Sequence, residues 1–336
     1  MLILGIETSC DETSAAVVGD IGEGGKLVAL SNIVASQIET HRLYGGVVPE
    51  IAGRAHIEAI SGVVERALSE ANVQISDLDG VAVTTHPGLI GALLVGVNFA
   101  KAFAFANKLP LISVNHIHAH TAASYLTENP PKPPYLSLVV SGGHTSFYLV
   151  RSYTEYVELG GTRDDAAGES FDKVGRVIGM PYPGGAALDK LAYEGNPKAF
   201  ALPSPALAGD SPDFSFSGIK TAALNLINGA SQRGEQINAA DMAASYTDTI
   251  VKGIVKQTEK VLAVTGTEVL VLAGGVAANS HLRRALQELC DKRKVMLAVP
   301  PISLCGDNGA MVAAAGYFAF MDGERAGTDL NASAYD

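Results

Sequence analysis

Residues 2–18 read LILGIETSCDETSAAVV, an apolar run, a small polar turn and a second run ending in β-branched residues. That grammar predicts a strand, a turn and a second strand. Residues 136–150, LSLVVSGGHTSFYLV, repeat it, and both turns are built of Gly, Ser, Thr and either Asp or His. Before the second hairpin lies NPPKPP, 129–134, which fits neither a helix nor a central strand and reads as a linker. Two lobes are expected, each opening on a hairpin: residues 1–130, with 306–336 returning to them, and residues 131–305. Turns of this kind line up backbone N–H groups that can receive a phosphate. Two of them facing each other would grip a nucleotide; two ordinary hairpins would not.

The bulk composition sets the frame. A chain of 336 residues is long enough for two cores, and 36 glycines with 18% charged residues make it globular and rich in tight turns. Its net charge of −11 excludes nucleic-acid binding through the whole surface, so any such role needs a local patch or a helper. Cys10, Cys290 and Cys305 are an odd number without CxxC spacing, which fits a reducing cytoplasm and no disulfide framework. The opening residues reach Glu7 too early for a signal peptide. The longest apolar run, 88–100, stops at Lys101 and is too short to span a bilayer. A soluble, cytoplasmic protein with no membrane partner is the expectation.

Further glycine-rich turns follow apolar runs. VLVLAGGVAANSHLRRAL, 269–286, predicts a strand covered on both faces, a Gly274-Gly275 turn and a helix starting near Asn279. Residues 86–109, HPGLIGALLVGVNFAKAFAFANKL, predict a closely packed helix rich in small residues. In 161–190, Asp164, Asp165, Glu169 and Asp172 crowd the entry of a helix; this is either a solvated face or a ligand-facing loop.

NHIHAH, 115–120, sits where a strand, LPLISV, runs into a helix expected over 115–129. His116 and His120, four residues apart, share a helix face, and His118 points away from it. The pair either chelates one ion or forms a hydrogen-bonded polar face. A metal would need a third ligand from elsewhere. Asp307 in SLCGDNGAM, where an alanine-rich helix begins after an apolar strand, is the best candidate, although it could equally cap that helix; Cys305 is a softer alternative. A zinc protease fits poorly, because HExxH needs a glutamate between its histidines and here Ile117, His118 and Ala119 stand there.

Taken together, GIETSCDETSAAVV, YGGVVPEIAGRAHI, NHIHAH, VVSGGHT, DDAAGESFDKVGR, YPGG, FSFSGIKTA, AGGVAANSHLR and CGDNGAM resemble the tRNA N6-adenosine threonylcarbamoyltransferase family of the bacterial TsaD type. The motifs run in order from residue 2 to about 322, with one departure, His86 in place of the glycine expected before Pro87-Gly88. The resemblance implies an α/β chain with a two-lobed, actin-like and Hsp70-like ATPase fold (the ASKHA superfamily) built of duplicated ribonuclease H-like lobes. It implies transfer of the threonylcarbamoyl group from threonylcarbamoyl-adenylate to N6 of adenosine 37, in tRNAs reading ANN codons, with AMP released. It implies His116, His120 and Asp307 as ligands of one iron(II) or zinc ion. It also implies Val139, Val140, Ser141, Gly142, Gly143, Asp172, Gly185, Asp189 and Asn279 as the residues holding the adenylate. Asp11 and Glu12, in the first turn, are the candidate catalytic acids, Asp11 serving either the reaction or an Asx turn.

Acidity has to be reconciled with a tRNA substrate. Residues 1–130 carry six basic against 13 acidic side chains, whereas 281–294 carry five basic against two acidic, either a phosphate-contacting edge or a solvated helix end. Tight tRNA binding is therefore expected only with partner subunits, which the resemblance names as an inactive paralogue of the TsaB type and a small ATPase of the TsaE type. Two competing readings are a small-molecule kinase of the same superfamily and a nucleotide-dependent scaffold; neither needs a His-His-Asp metal site.

Overall fold

The computed structural model describes residues 1–21 and 25–335. The chain divides into two compact units, one formed by Met1–Pro133, Arg151–Glu155 and Pro300–Asp336, the other by Pro134–Val150 and Tyr156–Val299.

The first unit is built on a mixed sheet of β1 (Leu2–Glu7), β2 (Glu12–Asp20), β3 (Leu27–Ala29), β4 (Ile33–Ser36), β5 (Gly80–His86) and β6 (Leu111–Asn115). The opening hairpin forms as its sequence predicts, with Leu2 opposite Gly19 and Glu7 opposite Ser14. β1 then pairs in parallel with β5, and β5 with β6. α1 (Ile38–Arg42) and α2 (Pro49–Ala71) follow the hairpin, and Pro49 at the first turn suits α2 because its missing N–H would have no helical partner there. α3 (Ile90–Asn107) is shorter than the expected 86–109. It is long and apolar enough to cross a membrane by composition alone, and it lays Ala92, Leu93, Gly96, Val97, Ala100 and Ala104 inward. Leu4, Ile6, Val17, Val63, Val64, Val83 and Val97 make one core of this unit.

α4 (His116–Ala122) is much shorter than the expected 115–129: the chain tightens into a 3₁₀ turn over Ala123–Leu126, where the Ser124 hydroxyl donates to the Thr121 carbonyl at 2.7 Å. The hydroxyl competes for backbone groups and ends the regular helix.

The second unit repeats the plan. β7 (Tyr135–Val140) and β8 (Thr145–Val150) form the second hairpin, with Val140 opposite Thr145, and β9 (Tyr156–Gly161) extends it. β7 pairs in parallel with β10 (Val269–Ala273), which pairs in parallel with β11 (Met296–Ala298). The helices here are α5 (Ala167–Val177), α6 (Gly184–Leu191), α7 (Ser217–Gln232), α8 (Ala239–Thr265) and α9 (Ser280–Arg293).

The chain then returns to the first unit as α10 (Gly309–Met321), which packs on β1 and β2. The approach is backbone on backbone. A Cβ on Gly309 would stand 2.5 Å from the Ala15 carbonyl carbon, and one on Gly5 would stand 2.3 Å from the Gly309 oxygen. Only glycine admits that contact. It fixes the start of α10 against the hairpin, and the Gly309 N–H donates to the Ser14 hydroxyl at 2.7 Å.

Candidate active site

The end of β6 and the start of α4 place the histidines. Asn115 caps α4, its side-chain oxygen accepting from the N–H groups of Ile117 (2.8 Å) and His118 (3.1 Å). His116 and His120 lie inward and are buried, whereas His118 is half-buried. The imidazoles meet edge to face with centroids 4.6 Å apart.

Asp307 comes to them from the other end of the sequence. The expected apolar strand is β11 (Met296–Ala298), and a 3₁₀ turn, Ile302–Leu304, intervenes before Asp307. Asn308, not Asp307, caps α10, its side-chain oxygen accepting from the Met311 N–H at 3.0 Å. The Asp307 carboxylate is left to face the histidines, with Oδ1 3.2 Å from His120 Nε2 and 3.6 Å from His116 Nε2. One ligand atom from each residue lies within 4.8 Å of the others. Cys305 does not join this group: its buried thiol contacts the carbonyls of Pro300 and Pro301.

The arrangement fits a bound cation. Both ring nitrogens of His120 are buried and neither makes a hydrogen bond among the described residues; Nε2 has only the Asp307 carboxylate at 3.2 Å, an approach that a shared cation would explain. Two imidazoles and one carboxylate suit zinc or iron(II) and leave coordination positions open for substrate oxygen. The surroundings are anionic. Burial, then the charges of Asp307 and Asp11, push the Glu12 carboxyl up to about 10. Burial, followed by Asp11, Asp307 and Glu12, pushes the Cys10 thiol well up.

Asp11 and Glu12 close the first turn. Asp11 is buried and its carbonyl accepts from the Gln37 N–H at 3.0 Å; Glu12 begins β2 and its Oε1 accepts from the Ser36 hydroxyl at 3.2 Å. Two groups that sequence reasoning missed support this turn. His56 on α2 is buried, with Nε2 3.0 Å from the Cys10 carbonyl oxygen and Nδ1 2.8 Å from the Thr13 hydroxyl. Burial holds its pKa below the ordinary histidine value. Glu7 is the second, with Oε2 3.1 Å from His116 Nδ1. A carboxylate on the same strand face as Ile3 and Gly5, in a strand of otherwise apolar residues, was the available signal.

The second unit gathers its own candidates into three local groups. Val139 and Val140 are buried at the end of β7; Ser141 accepts from the His144 N–H through its hydroxyl at 3.0 Å, and Gly142 and Gly143 are exposed. Gly274, at φ +90°, approaches this turn so closely that a Cβ would stand 2.4 Å from the Val140 oxygen. Asp172 Oδ1 accepts from the Gly185 N–H at 2.9 Å, joining α5 to α6. Asn279 caps α9 through the Leu282 N–H at 2.8 Å. Beside it, Asp189 accepts from the Ser280 hydroxyl at 2.8 Å, and its other oxygen lies 2.8 Å from His281 Nδ1.

Two features are structural where sequence left them open. Asp164 accepts from the N–H groups of Phe216 (2.8 Å) and Ser217 (3.1 Å), and Asp165 pairs with Lys220 and Lys173, so these carboxylates clamp the start of α7. The basic edge of α9 is smaller than the local count gives, because Glu259 on α8 pairs with Arg293 at 2.7 Å and with Lys292 at 3.7 Å. Along the same edge α8 and α9 border a cavity of about 780 Å³ lined by Lys252, Lys256, Arg284 and Tyr193.

Solved structures define the class. The HypF of T. kodakarensis superposes with a TM-score of 0.64 at 14% identity, covering 96% of this chain and 48% of that one. A ROK hexokinase of Thermus thermophilus superposes at 0.50 and 15% identity, covering 96% and 100%. The chain thus shares the fold of these two proteins, α/β with one mixed sheet in each unit. Sequence relatives narrow the class to a family. The profile of the family described as "tRNA N6-adenosine threonylcarbamoyltransferase" (TsaD) matches residues 28–314. Proteins of that name from Clostridium botulinum (51% identical, 98% of this chain and 96% of theirs) and Desulfitobacterium hafniense (52%, 98% and 95%) align almost end to end. The chain belongs to the tRNA N6-adenosine threonylcarbamoyltransferase family.

Proposed function

We propose that this chain transfers a threonylcarbamoyl group from threonylcarbamoyl-adenylate to N6 of adenosine 37 in tRNAs that read ANN codons, releasing AMP. Family membership supports the reaction, and the observation that carries the site is the His116, His120 and Asp307 cluster, in which the buried His120 nitrogens make no hydrogen bond among the described residues. His116, His120 and Asp307 would hold one iron(II) or zinc ion. When bound, such an ion supplies Lewis acidity toward the carbamoyl and phosphate oxygens.

The remaining roles fall to the chain's own groups. The exposed N–H groups of Gly142 and Gly143, with Ser141 and the β7 end at Val139 and Val140, bind the adenylate's phosphate and balance the charge that grows as AMP departs. Asp172, Gly185, Asp189 and Asn279 orient its nucleoside. Asp11 orients the attacking amine and accepts its proton, with Glu12 beside it. The two compact units serve as the two lobes of the fold.

Charge argues for a helper, and the family resemblance supplies its identity. With a net charge of −11 and a basic edge partly neutralised by Glu259, the chain depends on a TsaB-type paralogue and a TsaE-type ATPase to engage tRNA in the cytoplasm. The kinase alternative has only fold likeness behind it. Reconstitution tests the reaction: the chain with those partners, synthetic threonylcarbamoyl-adenylate and a tRNA transcript should yield modified adenosine and one AMP per transfer. AMP release without modified nucleoside would overturn the assignment.

A further inference from the structure

We propose that Glu7 is a positioning residue for the metal centre: it sets the tautomer and ring orientation of His116, so that Nε2 offers its lone pair to the ion. The inference rests on His116, His120 and Asp307 being metal ligands.

Glu7 is the last residue of β1 and is fully buried. An ionised carboxylate in that position needs donors around it. It has them: Ser9 N–H donates to Oε1 at 2.5 Å, the Thr84 hydroxyl donates to Oε2 at 2.6 Å, and His116 Nδ1 lies 3.1 Å from the same Oε2. A carboxylate only accepts hydrogen bonds, so the His116 nitrogen facing it must carry the hydrogen. Ser9 Oγ, 3.1 Å from Nδ1, is free to accept a share of the same N–H.

The consequence falls on the other ring nitrogen. With hydrogen on Nδ1, His116 Nε2 is unprotonated and stands 3.6 Å from Asp307 Oδ1, on the side where the ligand atoms gather. Carboxylate–histidine–metal relays of this kind fix the ring and raise ligand basicity. The two histidines are therefore unequal: His116 is set before an ion arrives, whereas His120 has no such partner among the described residues. The β1 carboxylate thus ties the first strand to metal binding, a role separate from those of Asp11 and Glu12.

The test uses the full-length chain and cobalt(II) or zinc alone, with dissociation constants from competition against a chromophoric chelator. Glu7→Gln is expected to weaken metal binding about 10- to 100-fold, the range for removing such an outer partner; His116→Ala should weaken it more. Nitrogen-15 spectra of histidine-labelled, metal-free wild type should show His116 as the Nδ1–H tautomer, and Glu7→Gln should mix the two tautomers. If Glu7→Gln keeps wild-type affinity while His116→Ala loses it, the Glu7 inference fails and the metal reading stands. If both keep it, the metal reading itself fails. If Glu7→Gln does not fold, the wild-type spectrum decides: an Nε2–H His116 overturns the inference.

Discussion

Asn308 caps α10 and so frees its neighbour Asp307, whose Oδ1 stands 3.2 Å from His120 Nε2. Adjacent residues of similar shape thereby take separate tasks, one holding a helix end and one facing the histidines. Exchanging their chemistry should separate the two effects. Asn308→Ala is expected to cost about 1 kcal/mol of stability through the lost cap, read by urea denaturation. Asp307→Asn should leave the metal-free protein at least as stable, since it removes a charge that pushes Glu12 up, yet abolish stoichiometric metal binding in the chelator assay.

The glycine contact that seats α10 should be intolerant of a single methyl. Gly309→Ala would place a Cβ 2.5 Å from the Ala15 carbonyl carbon and 2.6 Å from the Ala16 nitrogen. Neither backbone atom can rotate away, so the expected loss is about 3 kcal/mol, at the upper end of overpacking. Gly91→Ala, on the exposed start of α3 with nothing within 4 Å of the new Cβ, should be neutral or slightly stabilising. Equal denaturation midpoints for the two variants would contradict the packing argument.

His56 gives the stability a pH dependence of known sign. Its folded pKa lies below the ordinary value of 6.5 because burial disfavours the charged ring. The unfolded chain therefore binds a proton more readily than the folded one. The contribution is fully present above the unfolded pKa and is lost as pH falls through the folded pKa. Glu12, whose carboxyl is pushed up, contributes the opposite slope in both proteins, so the comparison is between them: relative to His56→Gln, the wild type should lose unfolding free energy with acidification below about pH 6.5. An unchanged slope in His56→Gln would place the effect elsewhere.

Binding of tRNA by the isolated chain should be weak and dominated by salt. At physiological ionic strength the dissociation constant is expected to be no tighter than about 1 µM, the range of non-specific phosphate contact. Reversing Arg284, which lies over the Tyr193 ring, should weaken it further, whereas reversing Arg293, already paired with Glu259, should do less. Tight binding by the chain alone would remove the need for partner subunits.

Much of this was legible in the chain, and the misses have physical reasons. The hairpins announced themselves because a buried strand pair writes its period and its turn chemistry locally. The His116/His120 pair was legible because helix geometry places residues four apart on one face. The cap at Asn308 was not, since Asp and Asn both cap well and only the docked α10 decides which one does. The end of α4 depended on the Ser124 hydroxyl choosing a backbone carbonyl, a local competition without a clear sequence signature. Glu259 neutralising Arg293 is a contact across 34 residues, which no count along one helix contains. Glu7 was visible as an ionisable residue in an apolar strand, but its partner His116 lies 109 positions away.

The reaction and its dependence on the histidine site can be read in one experiment. Nucleoside mass spectrometry of bulk tRNA, from cells depleted of this protein and complemented with wild type or His116→Ala, addresses both. Threonylcarbamoyladenosine should disappear on depletion, return with wild type and stay absent with His116→Ala. Its persistence in depleted cells that lack a second such enzyme, or its full return with His116→Ala, would contradict the account.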